Sequence, residues 1–217
     1  MKIELIIFDL DGTLIESHKT IFESTIKALE IVGADSSISE SDFRKLIGHH
    51  FNDIFFELGI TLPSFEEFIE VYKSIYFNFI NDSQMYPDVE YTLEQLRSNG
   101  IKTALLTTKS QEQAEIILKH FKIDSQFDFI LGRRPDVKNK PNAEPILLIC
   151  DSLKVNTDKT MMVGDTEIDI HCGRNAKVKT CAITHGYRSG AQLKKENPDH
   201  IVHSFKEFNE LIISQGE

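Results

Sequence analysis

The chain opens on a nearly unbroken apolar run, Ile3-Glu4-Leu5-Ile6-Ile7-Phe8, β-branched and aromatic with one charge near its start. A run without polar alternation predicts a β-strand buried on both faces of a parallel sheet. From about Ser17 to Asp82 the apolar residues recur at helical spacing instead, first at Ile21, Phe22, Thr25, Ile26 and Leu29. Further helices are predicted over Glu40–Ile47, with Ser39 as cap, over Phe51–Leu58 and over Phe65–Phe79; Gly33, Gly48, Gly59 and Pro63 are the breaks. Beyond Tyr86 helices and strands alternate. Helices are expected near Asp88–Ser98, Gln111–Phe121, Ala143–Leu153, Thr166–Arg174, Ala191–Lys195 and Phe205–Ile213, and strands near Ile101–Thr107, Phe127–Leu131, Thr160–Val163, Val178–Ile183 and Ile201–Val202. Right-handed crossovers wind such a pattern into a doubly wound parallel α/β sheet covered on both faces. The all-helical segment is then an insertion, dividing the chain into an α/β core of residues 1–15 and 83–217 and a helical module of residues 16–82.

Charge sharpens this picture. Lys+Arg number 24 against 34 Asp+Glu, a formal net charge of −10, and no basic stripe concentrates the cations, so no nucleic-acid partner is expected. Residues 16–82 hold five Lys/Arg and twelve Asp/Glu, so the helical module carries most of the excess. It also holds nine of the 15 phenylalanines, whose helical spacing makes them its core. The three cysteines, Cys150, Cys172 and Cys181, form no short metal-binding pair and cannot all pair internally, which fits reduced thiols. The N-terminal segment lacks a basic start and cleavage site, and no apolar run approaches membrane-spanning length. A cytoplasmic protein with no membrane partner is expected, as a monomer or homodimer.

Candidate chemistry lies at the strand ends. The first strand runs into Asp9-Leu10-Asp11-Gly12-Thr13, and in open α/β sheets ligands sit outside the carboxyl ends of the strands. Two carboxylates so close repel unless a cation or a division of acid and base roles resolves the conflict. Thr107-Thr108-Lys109 precedes a helix, where free N–H groups favour an anion such as phosphate. Lys140-Pro141 offers an ammonium able to neutralise both a phosphoryl oxygen and the aspartates. Gly164-Asp165-Thr166-Glu167-Ile168-Asp169 brings further carboxylates to a helix start. Hard oxygen ligands of this kind suit Mg²⁺.

These four elements, in this order and each at a predicted strand end, resemble the signature of the haloacid dehalogenase superfamily over nearly the whole chain. The place of the helical insertion resembles the cap of the subgroup that includes phosphoglycolate phosphatase, nucleotide and pyrophosphate phosphatases and β-phosphoglucomutase. The resemblance implies a phosphoric monoester hydrolase acting on a small phosphorylated metabolite. Asp9 would attack phosphorus to form an aspartyl-phosphate, and Asp11 would act as general acid and then base. Mg²⁺ would sit between Asp9, the Asp11 carbonyl and Asp165, with Asp169 orienting metal-bound water. Thr107, Thr108 and Lys140 would hold the phosphoryl group. Arg44 and His49, beside Lys45 and His50 in the insertion, fall where the family's substrate-contacting loop tends to lie. Arg133-Arg134 follows a strand end and could reach a second anionic group.

Two positions depart from the family pattern: Ala143 replaces the second proline of Lys-Pro-x-Pro, and Thr108 stands where relatives commonly have Asn, leaving its backbone N–H. A mutase of the β-phosphoglucomutase type uses the same motifs, but Thr13 favours the phosphatase, since mutases more often carry a branched apolar residue there. A catalytically inactive binding module should have lost a nucleophile or metal ligand, and none is missing. His185-Gly186-Tyr187-Arg188 resembles a loop of the same subgroup and carries no assigned catalytic role.

Overall fold

The computed structural model describes residues 2–214. It is an α/β protein. Taking the strands of the main sheet in chain order, β1 is Leu5–Phe8, β2 Lys102–Ser110, β3 Phe129–Arg133, β4 Thr160–Gly164, β5 Lys179–Ile183 and β6 His200–Val202. Every neighbouring pair is parallel, and the order across the sheet is β3-β2-β1-β4-β5-β6. The chain therefore winds outward on one side of β1 and then crosses back to β4, which puts the topological switch point at the end of β1.

All four residues of β1 are buried, as a strand covered on both faces requires. Leu5 and Ile7 point into one cluster with Leu106, Leu131, Ile146, Ile149 and Met162. On the opposite face Phe8 meets Phe205 and Phe208 of the last helix, Phe205–Ser214, at centroid distances of 6.1 and 5.8 Å. Register places Phe8 beside Leu105 of β2 and Val163 of β4. Asp9 and Asp165 follow directly on β1 and β4, and Thr107 of β2 lies two residues past the Leu105 that pairs with Phe8, so three adjacent strands bring them to one end of the sheet. β2 extends three residues past its expected end at Thr107, with a shift in register between Leu106 and Ser110.

Contacts divide the chain into two compact units, one running to Leu14 and resuming at Met85, the other spanning Ile15–Gln84. The second is helical, with helices His18–Ile31, Glu40–Leu46, Phe51–Glu57 and Phe65–Ile75. Its core is aromatic: Phe51 packs on Phe55, Phe68 and Tyr72, and Phe22 on Phe43. Two expectations are corrected here. Ser39 occupies the N-cap position of its helix but makes no side-chain cap; its hydroxyl pairs with Ser41 at 2.8 Å. The helix from Phe65, capped by Ser64 through the Glu67 N–H, stops at Ile75 rather than Phe79 and tightens into 3₁₀ turns. There the Thr20 hydroxyl donates to the Phe79 carbonyl, which also accepts the Asp82 N–H, and shares a 2.6 Å hydrogen bond with Ser83. Among the described residues no helix is long and apolar enough to cross a membrane. All three thiols are unpaired and buried, and burial pushes Cys172 up to about 12, so they stay protonated.

Candidate active site

The end of β1 is held by the neighbouring strand: the Asp9 N–H donates to the Val163 carbonyl at 3.0 Å. The chain then turns tightly, with the N–H groups of Thr13 and Leu14 both returning to the Leu10 carbonyl. Gly12 makes that turn possible. Its φ is +84°, and a Cβ there would strike the Asp165 carboxylate and come within 2.7 Å of the Tyr187 ring. A Cβ on Gly164 would likewise overlap the Asp169 side chain. These are places where backbone must lie directly against a carboxylate.

Four charged side chains converge beyond the turn. The Lys140 ammonium donates to Asp9 Oδ1 at 2.7 Å and to Asp169 Oδ1 at 2.6 Å. Asp169 is the third residue of helix Glu167–Asn175, and its other oxygen accepts from the Thr166 N–H and hydroxyl. That capping box locks its rotamer and aims the free oxygen at Lys140. Asp165 is held through both oxygens, by the Thr13 hydroxyl at 3.0 Å and the Tyr187 N–H at 2.8 Å. Asp9, Asp165 and Asp169 can each bring one carboxylate oxygen within 4.8 Å of the others. None of these groups is more than 7% exposed.

Electrostatics makes this cluster incomplete as protein alone. Three buried carboxylates face one buried ammonium, which can balance only one of them if all three ionise. Burial pushes Asp9 up to about 7, opposed by Lys140 and reinforced by Asp169. Burial pushes Asp165 well above the usual carboxylate range, and the charges of Asp169 and Asp9 push the same way. Burial also opposes the charge on Lys140, but Asp169 and Asp9 outweigh it and hold the ammonium protonated. A hard divalent cation would let all three ionise together, and the all-oxygen donor set fits one.

The expected residues do not all join this group. The Asp11 side chain stands outside the carboxylate triad and faces Lys109, Oδ2 to Nζ 3.5 Å, so Asp11 offers the triad no side-chain oxygen. Thr107 is buried, and its hydroxyl accepts from the Lys109 N–H at 3.2 Å. Thr107, Thr108 and Lys140 line one crevice. Arg44 is exposed on helix Glu40–Leu46 and His49 lies just beyond it, both in the helical unit. Lys109 was not singled out in the sequence, although an ammonium two residues past a strand-end Thr was a usable signal. The His185–Arg188 segment proves to be a clamp. Besides the Tyr187 N–H on Asp165, His185 Nε2 donates to the Thr13 carbonyl at 2.9 Å and its ring stacks on Tyr86, while Arg188 grips Glu167 at 2.7 and 3.0 Å. A backbone donor such as Tyr187 leaves no mark in a sequence.

Gly12→Ala is expected to be among the worst small substitutions in the core. Backbone strain at positive φ costs about 1–3 kcal/mol, and the added methyl displaces Asp165 as well. Gly100→Ala, also at positive φ (+72°) but with nothing within 4 Å, supplies the strain without the clash. Thermal melts of both should show the larger drop for Gly12→Ala; equal drops would mean that Asp165 yields freely.

A family model described as haloacid dehalogenase-like hydrolase matches residues 6–183. The chain is 33% identical over 199 residues to a phosphoglycolate phosphatase of Aquifex aeolicus, covering 91% of each sequence. It is 32% identical over 216 residues to the pyrophosphatase PpaX of Halalkalibacterium halodurans, covering 98% of each. A solved structure of a haloacid dehalogenase-like hydrolase from Streptococcus pneumoniae superposes with a TM-score of 0.84 at 27% identity, covering 95% of this chain and 96% of that one. The matched span runs from β1 through β5, taking in every strand end that contributes to the carboxylate and ammonium cluster. With that span and these identities over nearly full length, the chain belongs to the haloacid dehalogenase-like hydrolase family.

Proposed function

We propose that the protein is a Mg²⁺-dependent phosphatase of small phosphorylated metabolites that works through an aspartyl-phosphate. One observation carries this reading: a buried nucleophile-type carboxylate, Asp9, touches a buried ammonium while a second acid, Asp11, stands two residues along in contact with a different cation. The two aspartates thus have different cation partners, as separate roles require. Asp9 attacks phosphorus, forming a new P–O bond as the bond to the leaving oxygen breaks, and Asp11 gives that oxygen its proton. In the second step Asp11 takes a proton from water, which attacks the aspartyl-phosphate and frees Asp9. Thr107 and the Thr108 N–H hold phosphoryl oxygens, and Lys140 neutralises charge on both the phosphoryl group and Asp9. Asp9, the Asp11 carbonyl and Asp165 would hold Mg²⁺, with Asp169 positioning its water; the ion supplies charge neutralisation at the transferring phosphoryl group. Relatives named for phosphoglycolate and for pyrophosphate support small, highly charged substrates. Three buried, unpaired thiols fit a reducing cytoplasm.

The test is metal removal. Protein stripped with EDTA should hydrolyse p-nitrophenyl phosphate on the order of 100-fold more slowly or worse, with recovery on adding Mg²⁺. Undiminished turnover in EDTA would overturn the proposal, and conversion of glucose 1-phosphate to an isomer without phosphate release would move it to the mutase.

A further inference from the structure

The segment His185–Arg188 is held more tightly than a surface turn requires, and the phosphoryl chemistry above uses none of its side chains. It lies between β5 and helix Gly190–Lys195, and both of its ends are fixed: the Thr184 N–H donates to the Val202 carbonyl at 3.0 Å, and Ser189 caps the helix in a reciprocal pair with Gln192. Its middle is pressed onto the carboxylate cluster. A Cβ on Gly186 would fall 2.3 Å from Asp165 Oδ2 and 2.4 Å from the Gly12 carbonyl oxygen. Glycine is what lets the backbone come close enough for the next N–H, that of Tyr187, to reach Asp165.

Arg188 fixes that N–H from the neighbouring position. Its side chain is buried, and Nε and Nη2 donate to the two oxygens of Glu167 at 2.7 and 3.0 Å. A two-pronged contact of this kind sets orientation as well as distance. Glu167 begins helix Glu167–Asn175, two residues past Asp165 and two before Asp169. The ion pair therefore ties the residue next to the Tyr187 donor to the segment that carries both acids. With the Thr13 hydroxyl on Oδ1 and the Tyr187 N–H on Oδ2, the Asp165 carboxylate is held in one orientation, and a carboxylate oriented in advance has less freedom to lose when it takes up a cation.

We infer that Arg188 is a positioning residue for the metal site, acting through Glu167 and the Tyr187 N–H to hold Asp165 ready for a divalent cation. This rests on the Mg²⁺ part of the phosphatase reading above and adds to it a residue outside the carboxylate and ammonium cluster. The sign of the effect separates positioning from plain charge. Deleting a positive charge near a cation site tightens metal binding if charge alone matters; losing the grip on Glu167 weakens it. Mg²⁺ titrated calorimetrically, without substrate, into protein stripped with EDTA and dialysed should bind Arg188→Met about tenfold more weakly than the native protein. Arg188→Lys keeps the charge but not the fork and should fall between the two. With p-nitrophenyl phosphate the Mg²⁺ concentration for half-maximal rate should rise by the same factor in each variant, while kcat at saturating metal falls less than about threefold. Melts in EDTA establish which variants fold, and Arg188→Lys decides alone if Arg188→Met does not. Native or tighter Mg²⁺ affinity in the deciding variant, or a loss of kcat at saturating metal with affinity retained, would overturn the positioning role and leave the phosphatase standing. A native protein that takes up no Mg²⁺ would remove both.

Discussion

Asp9→Asn is expected to abolish phosphate release from p-nitrophenyl phosphate, by on the order of 10⁴-fold or more at saturating Mg²⁺, since no other group can take over a covalent step. Folding should survive. Asn keeps the shape and an acceptor oxygen for Lys140, and Lys140 retains Asp169. The same substitution should alter the pH dependence of stability in EDTA. A carboxylate raised to about 7 in the fold from an ordinary 3.8 contributes stability that is fully present below the unfolded value and is lost as pH rises through 7, because the folded state binds the extra proton. Native protein should therefore melt at lower temperature at pH 8 than at pH 5, and the Asn variant should lose less across that window; Asp165, also raised, keeps some slope in both. An Asn variant holding a hundredth of native activity would refute the nucleophile, and identical pH slopes would refute the burial argument.

Much of this was legible because a parallel sheet converts strand order into spatial neighbourhood. Asp9 and Asp165 are 156 positions apart in the chain, yet each follows a strand recognisable from its apolar run, and β1 pairs directly with β4. Lys140 was less legible. It sits in a loop, and only the resemblance to a known family aimed it at the aspartates; its two short contacts depend on Asp169 being fixed by Thr166. Backbone donors and side-chain choices among equivalent partners were illegible. The Tyr187 N–H on Asp165 would arise from any residue at that position, and the Ser39 hydroxyl had two neighbours to choose between, the helix N–H groups or Ser41. The helix end at Ile75 and the 3₁₀ turns after it, where Thr20 bonds Phe79 and Ser83, do not show in the periodicity within the helix. Lys109 was visible in sequence but its partner was not, because the contact to Asp11 depends on how the turn through Gly12 directs the carboxylate.

Lys140→Met is the sharpest probe of the charge balance, since methionine keeps an unbranched apolar stem of nearly the same length and removes the ammonium. It leaves Asp9, Asp165 and Asp169 buried together with no cation. Breaking a buried pair by deleting one partner costs about 3–5 kcal/mol, here most at high pH, where the carboxylates are charged, and less near pH 5, where protonation relieves them. Denaturant melts in EDTA at the two pH values should show that divergence, and excess Mg²⁺ should recover part of the loss by replacing the missing charge. Activity should not recover with it. The ammonium that neutralises the phosphoryl group remains absent, and a fall of about 10²–10³ in kcat is expected even at saturating metal. Lys140→Arg separates charge from shape: it keeps the positive charge and hence most of the stability, but a guanidinium cannot occupy the single point 2.7 Å from Asp9 and 2.6 Å from Asp169, so turnover should stay low. Native-like stability of Lys140→Met at pH 8 would mean that the three carboxylates do not share one uncompensated field, and the electrostatic case for a divalent cation would fall with it.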